Sequence, residues 1–187
     1  MLNDAYLPQA FQAIRDKDEK ILWAGQPARA PFLVSGIPFL IFGCLWFSFD
    51  YFGFIRHMGG KSGIPLGFAI PFFALHLIPF WGSILNMLRL FLVVGNTYYA
   101  VTPKRLMMRT GFWGTDFRSI DFDQVANLEV SVNPIENASA VGSIRFYAKA
   151  PMMNGRGLLG TFVGVANPYD VFKLVKQIHD GQLPNAA

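Results

Sequence analysis

The side chains in this sequence best placed to do chemistry are basic. Lys104, Arg105, Arg109 and Arg118 lie close together in the chain. In an extended segment such as RLMMRT, side chains alternate between faces, so Arg105 and Arg109 project from the same one. Arg118, on the next extended run, is expected to pair across from them. Cations grouped in this way attract phosphate or carboxylate, and each one near an anionic leaflet adds about 1 kcal/mol. Two readings fit these four residues. They form a solvated positive flank that fixes orientation in a membrane, or they contact an anionic ligand or the membrane surface.

No other group of residues converges. Asp116, Asp121, Asp123 and Glu129 fall at the solvent-facing positions of strands and turns rather than as an acid–base pair. The three histidines are far apart, and the single cysteine, Cys44, lies in an apolar run, so no metal-ligand spacing is present. Ser83, Ser119, Ser139 and Ser143 lack the context of an activated nucleophile. Gly155-Arg-Gly-Leu-Leu-Gly160 spells a dinucleotide fingerprint. That motif needs a strand before it and a helix after it. Here PMMN precedes and GTFVGV follows, the inverse order, and a loop is expected. Asn137-Ala-Ser139 fits the glycosylation pattern but sits in a segment expected to be cytoplasmic. No catalytic residue, cofactor or metal is predicted. The net charge of +4 is mild and dispersed, which argues against nucleic acid as a partner.

The elements that carry these residues follow from composition. Hydrophobic residues make up 52% of the chain and charged residues 15%, against roughly 25% charged in soluble domains. The excess is local. Ala30–Phe49 reads APFLVSGIPFLIFGCLWFSF, and Ile64–Leu88 reads IPLGFAIPFFALHLIPFWGSILNML, both without a formal charge. About 20 apolar residues cross a hydrocarbon core. Two transmembrane helices are therefore expected, at about 31–54 and 64–92, within a hairpin covering 31–95. Pro38, Pro71 and Pro79 are tolerated in lipid better than in a soluble helix. The first run begins too far into the chain, and lacks the cleavage pattern, to be a signal peptide.

The link Arg56–Gly63 is short and glycine-rich, which predicts an antiparallel hairpin. Basic residues flank both outer ends (Arg15, Lys17, Lys20 and Arg29 before; Arg89, Lys104, Arg105 and Arg109 after), against Arg56 and Lys61 in the link. Both termini are expected in the cytoplasm, with the hairpin in the membrane. Asp50 is expected to be solvated at the outer interface, leaving His76 as the lone ionisable group at depth.

Beyond residue 96 the pattern changes to short alternating runs. Strands are predicted at 96–101, 105–110, 117–122, 125–132, 143–148 and 160–165, most joined by turns, including Gly111–Gly114. Asn167, Pro168 and Asp170 then open an amphipathic helix with Asn167 as its N-cap. Six or seven strands capped by one helix predict a small barrel or sandwich.

These pieces resemble the bacterial pleckstrin-homology family. The resemblance is carried by Thr102-Pro-Lys-Arg-Leu106, Ile120–Val125, Leu128–Val130, Gly142–Phe146 and the closing helix near Pro168. Ile21-Leu-Trp-Ala-Gly-Gln-Pro27 is similar to the lead-in of small membrane-anchored members. Lys149–Leu159 is longer than a tight hairpin and departs from the pattern. The resemblance implies a pleckstrin-like domain over 96–187, preceded by a cytoplasmic segment, 1–30, and the hairpin. It also implies a tendency to self-associate. The expected function is a non-enzymatic, membrane-anchored binding or scaffolding module for lipid headgroups, peptides or further copies of itself. The alternative is an accessory subunit packed beside another membrane protein, through Ser35, Gly36, Gly43, Gly67 and Ala69. A transporter or lipid-modifying enzyme is less favoured.

Overall fold

The computed structural model describes residues 8–57, 65–149 and 157–182. The chain divides into two units, Leu33–Leu92 and the remainder on either side of it.

The inner unit is helical. The chain forms α1 (Arg29–Val34), α2 (Ile37–Gly53), α3 (Leu66–His76) and α4 (Ile78–Gly95). The two continuous helices expected from hydropathy are thus each broken once, at Ser35–Gly36 and at Leu77. The cause is proline. Pro38 and Pro79 stand second in α2 and α4, where a missing N–H costs little but the preceding turn cannot continue as regular helix. Most of the link between α2 and α3 lies outside the described residues.

The helices run antiparallel and meet through small residues. A Cβ on Gly36 would come within 2.6 Å of Leu90 Cδ1, and one on Gly43 within 2.9 Å of the Pro79 carbonyl. Phe47 stacks on Phe80 with centroids 4.6 Å apart, and the Trp46 indole N–H donates to the His76 carbonyl at 3.0 Å. Polarity in this unit is inverted. Leu45, Phe49, Ile70, Leu75 and Leu85 are all more than 60% exposed, whereas Asp50 and Ser83 are buried. Taken through its break, Arg29–His57 contains an 18-residue window with a mean hydropathy of 2.0, and Ile78–Gly95 has 1.6; both are long and apolar enough to cross a membrane.

Among the described residues, the other unit is built from seven strands. β1 (Trp23–Gly25), β2 (Tyr98–Val101), β3 (Arg105–Thr110) and β4 (Asp116–Asp121) form an antiparallel sheet in that order. β5 (Val125–Ser131), β6 (Val141–Ala148) and β7 (Leu158–Ala166) form a second one. The six strands predicted from alternation are present. β1 is additional, and it comes from residues that precede the helices, Trp23 pairing with Val101 and Gly25 with Tyr99. The β5–β6 connection contains the short helix α5 (Pro134–Ala138), closed by reciprocal Asn133–Glu136 hydrogen bonds. The glycine-rich stretch at 155–160 lies partly outside the described residues, and its last part opens β7.

Between the sheets sits a core of Tyr99, Val101, Leu106, Ile120, Ile144, Phe146 and Phe162. Phe162 is its centre, stacked on Tyr99 at 4.6 Å and edge-on to Phe146 at 4.8 Å. The helix α6 (Pro168–His179) adds Val171, Val175 and Ile178 to this core, a spacing of three and four residues that keeps them on one face. Asn167 precedes α6 but does not cap it with its side chain. It holds a left-handed backbone, φ 49°, a conformation asparagine tolerates better than most residues.

A second, smaller cluster covers the other face of the four-stranded sheet. Ala10 and Phe11, in the short 3-10 helix Pro8–Phe11, pack on Tyr98, Ala100 and Met107.

Candidate functional site

The four basic residues singled out by sequence do not form one cluster. Arg105 and Arg109 do share a face of β3, but four residues of strand place them about 13 Å apart. Met107 lies between them, wholly buried beneath Phe11. Arg118 pairs in register with Met108, whereas Arg109 pairs with Phe117. Alternation therefore sends Arg118 to the opposite face, where its guanidinium donates to the Leu159 carbonyl at 3.1 Å.

At the start of β3, Arg105 is consumed by structure. Its Nε and terminal nitrogen donate to the two oxygens of Glu19 at 3.0 and 2.7 Å, and that terminal nitrogen also reaches the Ile14 carbonyl. Thr102 donates to the same carboxylate at 2.7 Å. Glu19 is only 3% exposed. The Arg105 hydrogen bonds, opposed by burial and helped by Thr102, hold its carboxyl down at about 2. The same pairing pushes the Arg105 guanidinium up. Lys104 lies 3.6 Å from Asp16, with both side chains largely exposed.

The far end of β3 differs. The Arg109 guanidinium lies over the rings of Tyr98 and Phe117, 5.3 and 5.9 Å from their centroids. On the face of Met108 and Arg118, opposite Arg109, is a hollow of about 440 Å³ lined by Met108, Thr110, Asp116, Phe117 and Arg118. The β3–β4 turn closes this end. A Cβ on Gly111 would collide with the Gly114 carbonyl, so glycine is required for the turn to be this tight. Phe112 and Trp113 stand at its tip, 44% and 91% exposed. In the sequence they read only as turn residues. Their exposure follows from the pairing of Thr110 with Asp116, which leaves just five residues to reverse the chain.

A second polar site lies within the helical unit. Asp50 on α2 is fully buried, 3.3 Å from His76 Nε2 on α3. This corrects the expectation of a solvated Asp50 and a solitary His76. The antiparallel pairing of α2 with α3 and α4 carries the carboxylate inward against the imidazole. Among the described residues, no hydrogen-bond donor satisfies either carboxylate oxygen.

Two antiparallel sheets of four and three strands with a closing C-terminal helix constitute a pleckstrin-homology-like fold. A family model described as bacterial PH domain matches residues 37–178, and the chain belongs to that family. The match starts at Ile37 and so includes the apolar helices as well as the strands. Among solved structures, the chain is similar to a DUF1696 family protein with a pleckstrin-homology domain from Shewanella loihica PV-4. Identity is 16%, the TM-score is 0.34, and the alignment covers 48% of this chain and 74% of that one. No curated protein matches the chain.

Proposed function

We propose that this protein is a non-enzymatic binding module, anchored by its helical hairpin at the inner face of a bacterial cytoplasmic membrane. The observation that carries this reading is the inverted polarity of Leu33–Leu92. Only 11% and 17% of the two most apolar windows are buried, where a core helix of a soluble domain would be mostly covered. Leaving side chains such as Leu45, Phe49 and Leu75 in water would cost about 1.5–3 kcal/mol each; lipid removes that cost. The pairing of β1 with β2 supports the expectation that both ends of the hairpin lie on one side, because these strands flank it. The excess of basic residues at those ends supports the cytoplasmic side.

The domain boundaries follow the same reading, with 31–95 as the anchor and 96–187 as the PH-like domain completed by β1. The partner class favoured is membrane lipid, with self-association through exposed strand edges as a second mode. The accessory-subunit reading loses part of its support, because Gly36 and Gly43 are occupied by Leu90, Pro79 and Ser83 of the same hairpin.

Alkaline carbonate washing of membranes from cells expressing the full chain tests the anchor. Retention in the pellet is expected, and release to the supernatant overturns it. In spheroplasts, a Cys44→Ser, Asp180→Cys variant is expected to resist an impermeant maleimide until the cells are lysed.

A further inference from the structure

We infer that the Gly111–Gly114 turn is a second, interfacial membrane contact, in which Trp113 and Phe112 enter the headgroup region of the bilayer that holds the hairpin. The inference rests on the anchored reading above and adds a site to it.

Position is the first argument. The chain leaves α4 at Gly95 and enters β2 at Tyr98. Tyr98 pairs with Arg109, and the register runs on to Thr110–Asp116, the last pair before the turn. The aromatic tip therefore lies at the end of the sheet where the chain arrives from the apolar helix. The Thr102–Lys104 turn lies at the other end, one strand length away.

Chemistry is the second argument. Trp113 is 91% exposed, the most exposed of the large apolar side chains described, and Phe112 packs edge-on against it at 5.4 Å. Among the described residues the Trp113 ring is left almost wholly uncovered, and the glycine at 111 sets the turn beyond the strand ends. An indole, with an apolar body and one N–H, is suited to the boundary between headgroups and acyl chains. The cation behind it completes the set. Among the described residues no carboxylate is paired with Arg109, which the Tyr98 and Phe117 rings hold at the base of the turn, in reach of a lipid phosphate. A protein groove would need a concave apolar surface here. The tip is instead a projecting pair of rings with Arg109 and Asp116 on the strands behind it, suited to the mixed charges of the headgroup region, where Arg109 meets phosphate.

Site-specific quenching in the full chain tests this. The protein is reconstituted in phosphatidylcholine–phosphatidylglycerol vesicles containing nitroxide-labelled lipid. An environment-sensitive fluorophore is carried on native Cys44, or in a Cys44→Ser background on Phe112→Cys, Trp113→Cys or Lys104→Cys. Quenching is expected at Cys44 and at the 112 and 113 positions, with none at 104. Quenching at Cys44 with none at 112 and 113 overturns the interfacial contact and leaves the anchor standing. Equal quenching at 104 and 112 also overturns it, since the contact would not be confined to the tip. An unquenched Cys44 overturns the anchored reading itself. A blue shift at 112 without quenching identifies a protein neighbour in place of lipid and overturns the inference.

Discussion

Glu19 and Arg105, 86 positions apart, are joined by two hydrogen bonds of 2.7 and 3.0 Å, with the carboxylate buried and the guanidinium at the sheet margin. The pair ties the segment that precedes the helices to the strand that follows them. Thr102 and the Asp16 N–H supply the remaining donors to the carboxylate.

Stability should depend on pH through Glu19. Its carboxyl lies at about 2 in the folded chain against an ordinary 4.5. A depressed value means the contribution is complete above the unfolded value and is lost as pH falls from about 4.5 toward 2. The shift corresponds to about 3 kcal/mol. Denaturant titrations of the detergent-solubilised protein at pH 6, 4 and 3 should show the loss. Glu19→Gln should flatten that part of the profile.

The basic residues should separate by energy. Arg105→Ala leaves the Glu19 carboxylate buried without its partner and should destabilise by about 3–5 kcal/mol. Lys104→Ala removes an exposed ion pair with Asp16 and should change stability by no more than about 1 kcal/mol. Parallel melting curves check both, and equal losses would contradict the geometry.

Within the helical unit, Asp50 and His76 should behave as one element. Removing His76 as His76→Leu strands a buried carboxylate and should cost about 3 kcal/mol in detergent unfolding. The double variant Asp50→Leu/His76→Leu should recover most of that loss. A double variant no better than the single one would mean the two side chains are not coupled.

Gly43→Leu should open the hairpin. Its side chain would have to displace Ser83 and the Pro79 backbone of α4, and overpacking of this kind costs about 1–3 kcal/mol. Gly53→Ala, where nothing lies within 4 Å of the added Cβ, should be nearly silent. Cross-linking between cysteines placed on α2 and α4 reports the separation directly.

Strands and apolar helices were legible in the sequence because they depend on local pattern. β3 was read at its observed bounds, and the other predicted strands lie within two residues of theirs, since alternation and turn residues mark them without reference to distant chain. What escaped depends on distant partners. β1 is three residues long, too short for any period to show, and exists because Tyr99–Val101 offers it an edge. Glu19 carries no local signal; its burial is defined by Arg105 and Thr102. The basic group was over-read for the converse reason. Spacing gave the shared face of Arg105 and Arg109 correctly but could not reveal Met107 buried beneath Phe11 between them or the ring pair around Arg109. Asp50 was misplaced because distance from a helix end says nothing about which neighbour the facing helix supplies.

The pairing of β1 with β2 also sets an order of events during synthesis. Residues 26–97 separate the two strands, so Trp23–Gly25 leaves the ribosome well before its partner exists. At about 5–20 residues per second the interval is roughly 4 to 14 s. Through that time the first strand is an unpaired apolar edge. The four-stranded sheet can be completed only after α1 to α4 have been made, and the earliest strand to be translated waits for later ones to give it a place.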